Sequence, residues 1–490
     1  MREFVSEAVK SGDFSRDSRC VYHLRMRDTR DPFAGGIAVR LRAMLWIAVA
    51  SCALAACGVE AQSATDLPVL KGLAPVTVLE KTPAGQAALA ANYAVTGGIQ
   101  TGAIRQATLL PFAGQQQQAL QDAFITDGDL AQLADGLGTT LGAAYVARAH
   151  YVDRTHSTNV SKTVAYVIAY ANAIAGSNSN AGKYFFANET TDGKTSVSAE
   201  AKEILKENGG RADMFGRNYG RPAGTEGADK YGDSRPFQTE PGVVQIVGPD
   251  YFNVPANSDV YNRGPIMNLI DSPSYPSGHT TYGYTGSLVL AMLVPERYQQ
   301  MVTRAAEYGN DRIIMGAHYA MDVLGGRTLA TYDLAHLLAN DPVYVGRSLR
   351  GTPVVKDFRA LIKEARADMT SALQAACGKT VEDCAGEDTG RLNNPVANEA
   401  FYASTQTYNL PVVYPQIASR TEDVGKLAPE AGYLLTVAYP KLTLEQADRI
   451  LTETEGPGGG FLDDGSSFGV YSRLNLYAAA GRAAQVSEQR

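Results

Sequence analysis

Cysteine and histidine are scarce in this chain, and long hydrophobic runs are missing from most of it. The 490 residues include five cysteines and six histidines, and the formal net charge is −7. After the N-terminal region, no segment reaches the roughly 18 uncharged apolar residues that a membrane helix needs. The negative charge argues against nucleic acid or an anionic membrane as a partner. Any anion site must therefore be built locally, from a few converging arginines and lysines.

The N-terminus carries a targeting pattern. Arg40 and Arg42 precede an apolar run at residues 43–56, which is too short to be a permanent membrane anchor. This pattern predicts a secretory signal peptide within residues 1–61, and hence a secreted, periplasmic or outer-membrane protein of a bacterium. The run ends in Leu-Ala-Ala-Cys, a lipoprotein-like cleavage box that makes Cys57 the expected lipidation site and gives a possible lipid anchor. An ordinary small-residue cleavage site a few residues later is the alternative.

Two cysteines form a close pair late in the chain. Cys377 and Cys384 would remain after Cys20 and Cys52 leave with the signal peptide. In an oxidising compartment, this spacing predicts a small-loop disulfide between them. Two free thiols are the alternative, and neither version predicts a metal site because no histidine lies nearby.

The most informative feature is a set of short motifs in the middle of the chain. The stretch Pro276-Ser277-Gly278-His279-Thr280 is followed by Arg312, His318 and Asp322. A chance match to Pro-Ser-Gly-His in a chain of this length is expected well under ~1 time in 100. These residues place two histidines, an arginine and a carboxylate at spacings suited to attack on a phosphate ester.

The helical pattern around these motifs predicts how they meet. Residues 280–308 form the strongest helix candidate, with a break at Pro295. A second helix is predicted from His318 through Leu338, and it puts His318 and Asp322, four residues apart, on one face.

Arg312 lies six residues before His318, about 240° round a continuous helix. If both side chains meet one ligand, the helix must break between them, and Gly316 is the expected place.

The rest of the chain is predicted from its composition. Residues 64–149 have helical spacing, whereas residues 176–233 are rich in Asn, Gly, Ser, Lys and Asp and are predicted to form a long surface excursion. A short helix at 199–207 is the exception within it. An amphipathic helix is expected at 357–376, and the glycines at 456–460 predict a turn, because no phosphate-binding motif accompanies them.

Each motif residue can be given a chemical role. A phosphate ester reacts slowly because its anionic oxygens repel nucleophiles and its leaving alkoxide is basic. Asp322 would hold the tautomer of His318 that points a free nitrogen outward, which makes His318 the nucleophile. His279 would start protonated and donate its proton to the departing oxygen.

Positive charge and helix-terminus donors would bind the phosphate. Arg312 supplies a planar fork for two phosphoryl oxygens, and Ser277 and Gly278 offer a hydroxyl and an N–H near a helix N-terminus. Arg235, in Arg235-Pro236, is the expected upstream partner.

These motifs together resemble a known superfamily. It joins type 2 phosphatidic-acid phosphatases, bacterial class A acid phosphatases and vanadium haloperoxidases, and its pattern is Lys-x6-Arg-Pro, Pro-Ser-Gly-His and Ser-Arg-x5-His-x3-Asp. The matching positions, in the same order, are Arg235-Pro236, residues 276–279, Arg312, His318 and Asp322. The resemblance implies an all-α, helical-bundle core at residues 62–343 and a phosphohistidine mechanism that requires no metal or cofactor. Residues 344–490 are left as a mixed, loop-rich C-terminal extension of unknown role.

The chain departs from the superfamily pattern at three places. The lysine is missing from its expected position, Ala228, and Lys230 is the candidate to replace it. A second Arg-Pro at Arg221-Pro222 indicates an insertion in this motif. The other two departures are Asp311 in place of a serine and Ala320 in place of a proline.

Each residue alone has a plainer interpretation. Alone, His318 would be a core histidine, and Arg312 and Asp322 would be surface charges; only their joint order and spacing reverse this. His150 and His156 have no comparable partners in sequence and are interpreted as structural. His336 lies about five turns after His318, too remote for the same site.

The leading hypothesis is an exported, metal-independent phosphatase that hydrolyses small phosphomonoesters, favours mildly acidic pH and is inhibited by vanadate. A vanadium-dependent haloperoxidase is the alternative enzyme, in which the same pocket holds vanadate and His318 is its ligand. A non-enzymatic envelope protein that binds phosphate or a partner through its C-terminal extension is the third hypothesis.

Overall fold

The computed structural model describes residues 67–104, 109–124, 130–153, 158–207, 230–231, 233–240 and 242–489. One compact unit spans residues 64–490. The predicted signal peptide at 1–61, the lipidation site Cys57, Arg221-Pro222 and His156 lie outside the described residues.

The described chain is mainly helical. Its α-helices, in chain order, are α1 Leu67–Leu73, α2 Pro83–Gln100, α3 Phe112–Gln121, α4 Thr139–Ala149, α5 Lys162–Asn188, α6 Ala199–Glu207, α7 Pro236–Thr239, α8 Ser258–Asn262, α9 Gly278–Leu293, α10 Tyr298–Ile314, α11 Ala320–Ala339, α12 Phe358–Cys377, α13 Val381–Gly386, α14 Pro395–Thr407, α15 Pro415–Ala418, α16 Val424–Leu427, α17 Tyr433–Thr436, α18 Leu444–Glu453 and α19 Leu476–Glu488.

Short 3-10 helices and one small sheet complete the described structure. The 3-10 helices lie at Ala74–Lys81, Asp122–Phe124, Ala131–Leu137, Pro295–Arg297, Arg391–Asn393, Pro429–Gly432 and Gly469–Arg473. Strands β1 Val247–Pro249 and β2 Pro255–Asn257 pair antiparallel, with Gly248 opposite Ala256. The fold is all-α, as predicted.

Helix α9 is the centre of the bundle. Nearly all of its residues are buried, which is the pattern of a helix enclosed on every side, and it packs against α5, α10 and α11. Close approach depends on small residues: a Cβ added at Gly283 would lie 2.1 Å from the Tyr308 ring of α10. Helices α9, α10 and α11 also carry the motif residues Gly278, His279, Arg312 and Asp322.

The predicted breaks between the motif helices are confirmed. Helix α9 ends at Leu293, and a 3-10 turn that begins at Pro295 leads into α10. Gly316 has φ +70°, in the left-handed region that favours glycine. The second motif helix begins at Ala320 rather than at the predicted His318, because Tyr319 has an extended backbone and caps it.

The predicted surface excursion at 176–233 is wrong in its first part. Helix α5 continues to Asn188 and most of its last two turns are buried. Its small residues allow close packing rather than a loop: a Cβ at Gly182 would lie 3.1 Å from both Leu73 and Pro276. The predicted short helix at 199–207 is confirmed as α6.

The C-terminal part of the chain packs onto the same core. One hydrophobic cluster includes Val69 near the start of the described chain and Ala483 in α19. The predicted helix at 357–376 is confirmed as α12, with Asp357 as its N-cap. Cys377 and Cys384 lie within disulfide-bonding distance, as predicted, with 6.6 Å between their Cα atoms. Within the described ranges, no helix is long and apolar enough to cross a bilayer.

The packing of α11 on the Pro-Ser-Gly-His loop predicts a strong effect of one methyl group. In Gly326→Ala, the new Cβ would lie 2.5 Å from the Ser277 carbonyl oxygen. Because that neighbour is backbone, we expect the free energy of unfolding to fall by about 1–3 kcal/mol. The measurement is urea denaturation.

The matched control is Gly97→Ala in α2, where the new Cβ would meet nothing within 4 Å. It should leave stability unchanged or raise it by roughly 0.5–1 kcal/mol. Equal losses in the two variants would contradict the proposed packing constraint.

Candidate active site

The Pro-Ser-Gly-His loop is fixed at the N-terminus of α9. The Ser277 Oγ accepts a hydrogen bond from the Thr280 N–H at 3.1 Å, which caps the helix. The Ser277 N–H donates to the Asp322 carbonyl oxygen at 3.0 Å, and this bond ties the loop to α11. The predicted neighbours Ser277, Gly278, His279 and Asp322 are therefore brought together.

Gly278 lies where an added side chain would press on two polar groups of α5. A Cβ at this position would be 2.9 Å from both the Lys183 Nζ and the Ser179 Oγ of α5. The N–H groups of a helix's first turn lack acceptors within the helix and attract anions. The glycine thus brings the start of α9 against a lysine.

His318 and Asp322 form a fully buried pair. The His318 Nδ1 lies 3.2 Å from the Asp322 Oδ2. The same oxygen accepts a hydrogen bond from the Tyr319 N–H at 2.8 Å and another from the Ser274 hydroxyl. Asp322 is thereby held in one orientation beneath the imidazole.

The surroundings of His318 also determine its tautomer. The Arg235 Nη1 lies 3.0 Å from the His318 Nε2 and 3.4 Å from the Nδ1, so it sits over the face of the ring. A carboxylate can only accept, so the Nδ1–H donates to Asp322 and the Nε2 of the neutral ring carries the lone pair. The Nε2 is also 3.1 Å from the Nδ1 of His279, so the two imidazoles meet edge to face at this nitrogen.

The Arg235 side chain is held mainly by hydrogen bonds to backbone carbonyl oxygens. Its guanidinium is fully buried and donates to the carbonyl oxygens of Ser272, Pro273 and Ala317 at 2.8–3.0 Å. Arg235 therefore clamps the loop before Pro276 to the segment that carries His318, in addition to supplying charge at the site.

Arg312 supplies a second buried guanidinium. Its Nη2 donates to the Ala119 carbonyl oxygen at 2.9 Å, and its guanidinium lies 4.7 Å from the centre of the Tyr308 ring. Its Nε has no hydrogen-bond partner among the described residues. A buried donor without an acceptor is costly, which is consistent with a site that binds an anion.

Lys183 is the site residue that the sequence analysis missed. It lies on α5, is 8% exposed, and reaches the first turn of α9. Burial and the charge of Arg235 lower its pKa to about 7, although Asp233 and Asp322 act in the opposite direction. One sequence signal was available: Lys183 is the single charged residue between Lys162 and Glu189.

Lys230, the lysine chosen from the sequence, lies elsewhere. Its side chain is 58% exposed, pairs with Asp271 at 3.4 Å, and stands over the Tyr231 ring. The structure does not place it within the buried cluster. The reason is that the motif spacing assumes that the lysine precedes Arg235 closely, whereas packing brings one from a distant helix.

The site carries an excess of positive charge. Burial lowers the pKa of His279, and the charges of Arg312, Arg235 and Lys183 lower it further. Burial, together with Arg235 and His279, likewise lowers the pKa of His318. Both directions favour a neutral imidazole in the ligand-free protein, whereas the sequence predicts that His279 starts protonated. A bound dianion would raise both pKa values again, because its charge offsets that of Arg235, Arg312 and Lys183.

The other histidines lie apart from this cluster. His336 pairs with Asp341 and Glu430, and His150 adopts a left-handed conformation at the end of α4. In the described ranges, no group of three or more His, Cys, Asp or Glu side chains is placed to hold a metal ion.

Comparison with known proteins gives the family of this region. Residues 229–340, which contain all the predicted motif residues, form a domain of the PAP2 superfamily. Lys183 lies before the matched range.

The curated relatives are bacterial acid phosphatases. A non-specific acid phosphatase from Salmonella typhimurium is 47% identical over 64 residues, which are 13% of this chain and 26% of that protein. An acid phosphatase from Zymomonas mobilis is 42% identical over 64 residues, 13% of this chain and 24% of its own length. A non-specific acid phosphatase from Providencia stuartii is 40% identical over 72 residues, 15% and 29% of the two lengths. The chain thus spans about a quarter of the length of these relatives.

Replacing each of the two candidate lysines by alanine tests which one binds phosphate. In Lys183→Ala, we expect orthophosphate to bind at least about tenfold more weakly at about pH 6, because a charged hydrogen bond contributes roughly 1.5–3 kcal/mol. The measurement is isothermal titration calorimetry.

Lys230→Ala removes an amino group at the surface. The affinity for orthophosphate should stay within about twofold of wild type, because an exposed ion pair contributes little. A larger effect at Lys230 than at Lys183 would reverse the assignment.

Proposed function

We propose that this protein hydrolyses phosphomonoesters through a covalent phosphohistidine at His318. The observation that carries the proposal is the position of the His318 Nε2. Its lone pair follows from the Nδ1–H bond to Asp322, and this nitrogen lies 3.1 Å from the His279 Nδ1 within a group of cations. The acid phosphatase relatives and the PAP2 domain support hydrolysis of a phosphate ester.

The first chemical step forms a bond between nitrogen and phosphorus. The His318 Nε2 attacks phosphorus, the ester P–O bond breaks, and the departing oxygen takes a proton from His279. Asp322 stabilises the positive charge that the phosphorylated ring acquires. Lys183, Arg312 and the first turn of α9 bind the phosphoryl oxygens.

In the second step, His279 acts as a base rather than as an acid. His279, now neutral, takes a proton from water, and the resulting nucleophile attacks phosphorus. The N–P bond breaks, its electron pair returns to the His318 Nε2, and orthophosphate leaves. No metal ion is required in either step, and vanadate is expected to inhibit by occupying the phosphate position.

The proton on His279 enters with the substrate. Burial and the three cations lower the pKa of this ring, so in this mechanism the ester arrives either as a monoanion or together with a proton. Because the second pKa of a phosphate ester is about 6, both routes favour mildly acidic solution.

We propose further that the protein is exported. The apolar run before Cys57 supports a cleaved signal and a lipid anchor, and the close pair Cys377 and Cys384 fits an oxidising compartment. The expected location is the periplasm or the outer membrane of a bacterium.

Replacing the proposed nucleophile is the direct test of the function. In His318→Ala, kcat for an aryl phosphate should fall by roughly 10⁴- to 10⁶-fold, because removal of a nucleophile abolishes the covalent route.

The matched control is His336→Ala, since His336 lies on α11, the helix that follows His318, and also pairs with carboxylates. Its kcat should stay within about tenfold of wild type. Unchanged hydrolysis in His318→Ala would contradict the proposal. Peroxide-dependent halide oxidation that needs vanadate would instead favour the haloperoxidase.

The pH dependence of phosphate inhibition separates the titration of Lys183 from the titration of phosphate itself. Lys183 is charged below its pKa of about 7 and neutral above it, so phosphate inhibition should weaken between about pH 6 and 8. In Lys183→Arg the charge persists at both values. The ratio of inhibition constants for orthophosphate at the two pH values should therefore be smaller than in wild type. Equal ratios would contradict the assignment, because the titration of phosphate itself is common to both proteins.

A further inference from the structure

Both ring nitrogens of His336 face carboxylates. His336 lies in the last turn of α11; its Nδ1 is 2.9 Å from the Asp341 Oδ2, and its Nε2 is 3.3 Å from the Glu430 Oε1. An ionised carboxylate can only accept a hydrogen bond, and a neutral imidazole has one N–H to donate. Only the protonated ring can therefore donate to both carboxylates at once.

The surroundings of the ring favour the same charged form. The carbonyl groups at the C-terminal end of a helix attract cations, and His336 is the basic residue in the last turn of α11. The centres of the Tyr332 and Tyr344 rings lie 4.2 and 5.3 Å from the centre of the imidazole, and aromatic faces also favour cations. The His336 side chain is 17% exposed, so its proton can exchange with solvent.

The second carboxylate belongs to the C-terminal part of the chain. Glu430 lies in the 3-10 helix Pro429–Gly432, and its Oε1 also accepts a hydrogen bond from the Tyr471 hydroxyl at 2.6 Å. Asp341, by contrast, follows the end of α11. The protonated ring therefore joins the helix that carries Asp322 to two segments of the C-terminal part.

The neighbouring charges act on the protonation of this ring. Burial lowers the pKa of His336, but hydrogen bonds to Glu430 and Asp341 outweigh burial and raise it. Burial raises the pKa of Glu430, but hydrogen bonds from His336 and Tyr471 outweigh burial there too and lower it. Asp448 of α18 also lies near Glu430, and its own pKa is raised to about 7, mainly by burial.

We propose that His336 forms a proton-dependent bridge, which holds the C-terminal part of the chain against α11 in mildly acidic solution and weakens as the solution becomes alkaline. Loss of the proton leaves a nitrogen lone pair that faces a carboxylate, so repulsion replaces attraction at that contact. The bridge acts on packing and leaves the catalytic cluster as it is.

The first test is an NMR titration of the full chain, labelled at the imidazole Cε1 carbon of histidine. The His336 signal is identified by its absence in His336→Gln. Its pKa should lie above the ordinary value of about 6.5, and Glu430→Gln, which keeps an acceptor for Tyr471, should lower it. A pKa at or below about 6.5, or one that Glu430→Gln leaves unchanged, would overturn the proposal.

Should His336→Gln fail to fold, the histidine pKa that changes most in Glu430→Gln decides. No change in any of the six histidines would then count against the bridge.

The second test is the dependence of the melting temperature on pH. Stabilisation by a histidine whose pKa is raised on folding is complete below the unfolded value of about 6.5 and is lost as the pH rises through the folded value. Wild type should therefore melt about 2 °C or more above His336→Gln at pH 5.5, and the difference should shrink toward pH 9. Asp448 and the other titrating groups are common to the two proteins. An equal difference at both pH values would contradict the bridge.

Discussion

The hydrogen bond between the His318 Nδ1 and Asp322 is the interaction on which the site depends. Because the carboxylate accepts at the Nδ1, the Nε2 of the neutral ring carries the lone pair, and the Arg235 Nη1 lies over the same ring. The Nε2 is also the nitrogen that lies 3.1 Å from the His279 Nδ1. Ser274 and the Tyr319 N–H hold the carboxylate, so the orientation of the ring comes from three separate segments of the chain.

Close packing around glycine makes this arrangement possible. Gly278 admits Lys183 to the first turn of α9, and Gly326 lets α11 approach the Ser277 carbonyl oxygen. The buried cations that gather there lower the pKa of His279, so the ligand-free site is poorly suited to hold a proton. Under the proposed mechanism, charge on the substrate would complete the catalytic state and tie binding to proton uptake.

The sequence predicted the part of the site that is local. Arg312, His318 and Asp322 lie within one short motif, and the break at Gly316 follows from helix geometry. His279 precedes Arg312 by 33 residues, and the order of the motifs links it to the other three. Lys183 was missed because its position depends on the packing of α5, which a stretch of Gly, Ser and Asn concealed. The clamp role of Arg235 was missed for the same reason, since its acceptors are backbone carbonyls.

The most direct test of this account is to trap the covalent intermediate. Enzyme that is turning over a phosphorus-labelled aryl phosphate is quenched rapidly, digested and mapped under conditions that preserve acid-labile phosphoramidate bonds. The account predicts label on the peptide that contains His318, at nitrogen and sensitive to acid. Label on another residue, or burst-phase product with no labelled protein, would contradict it.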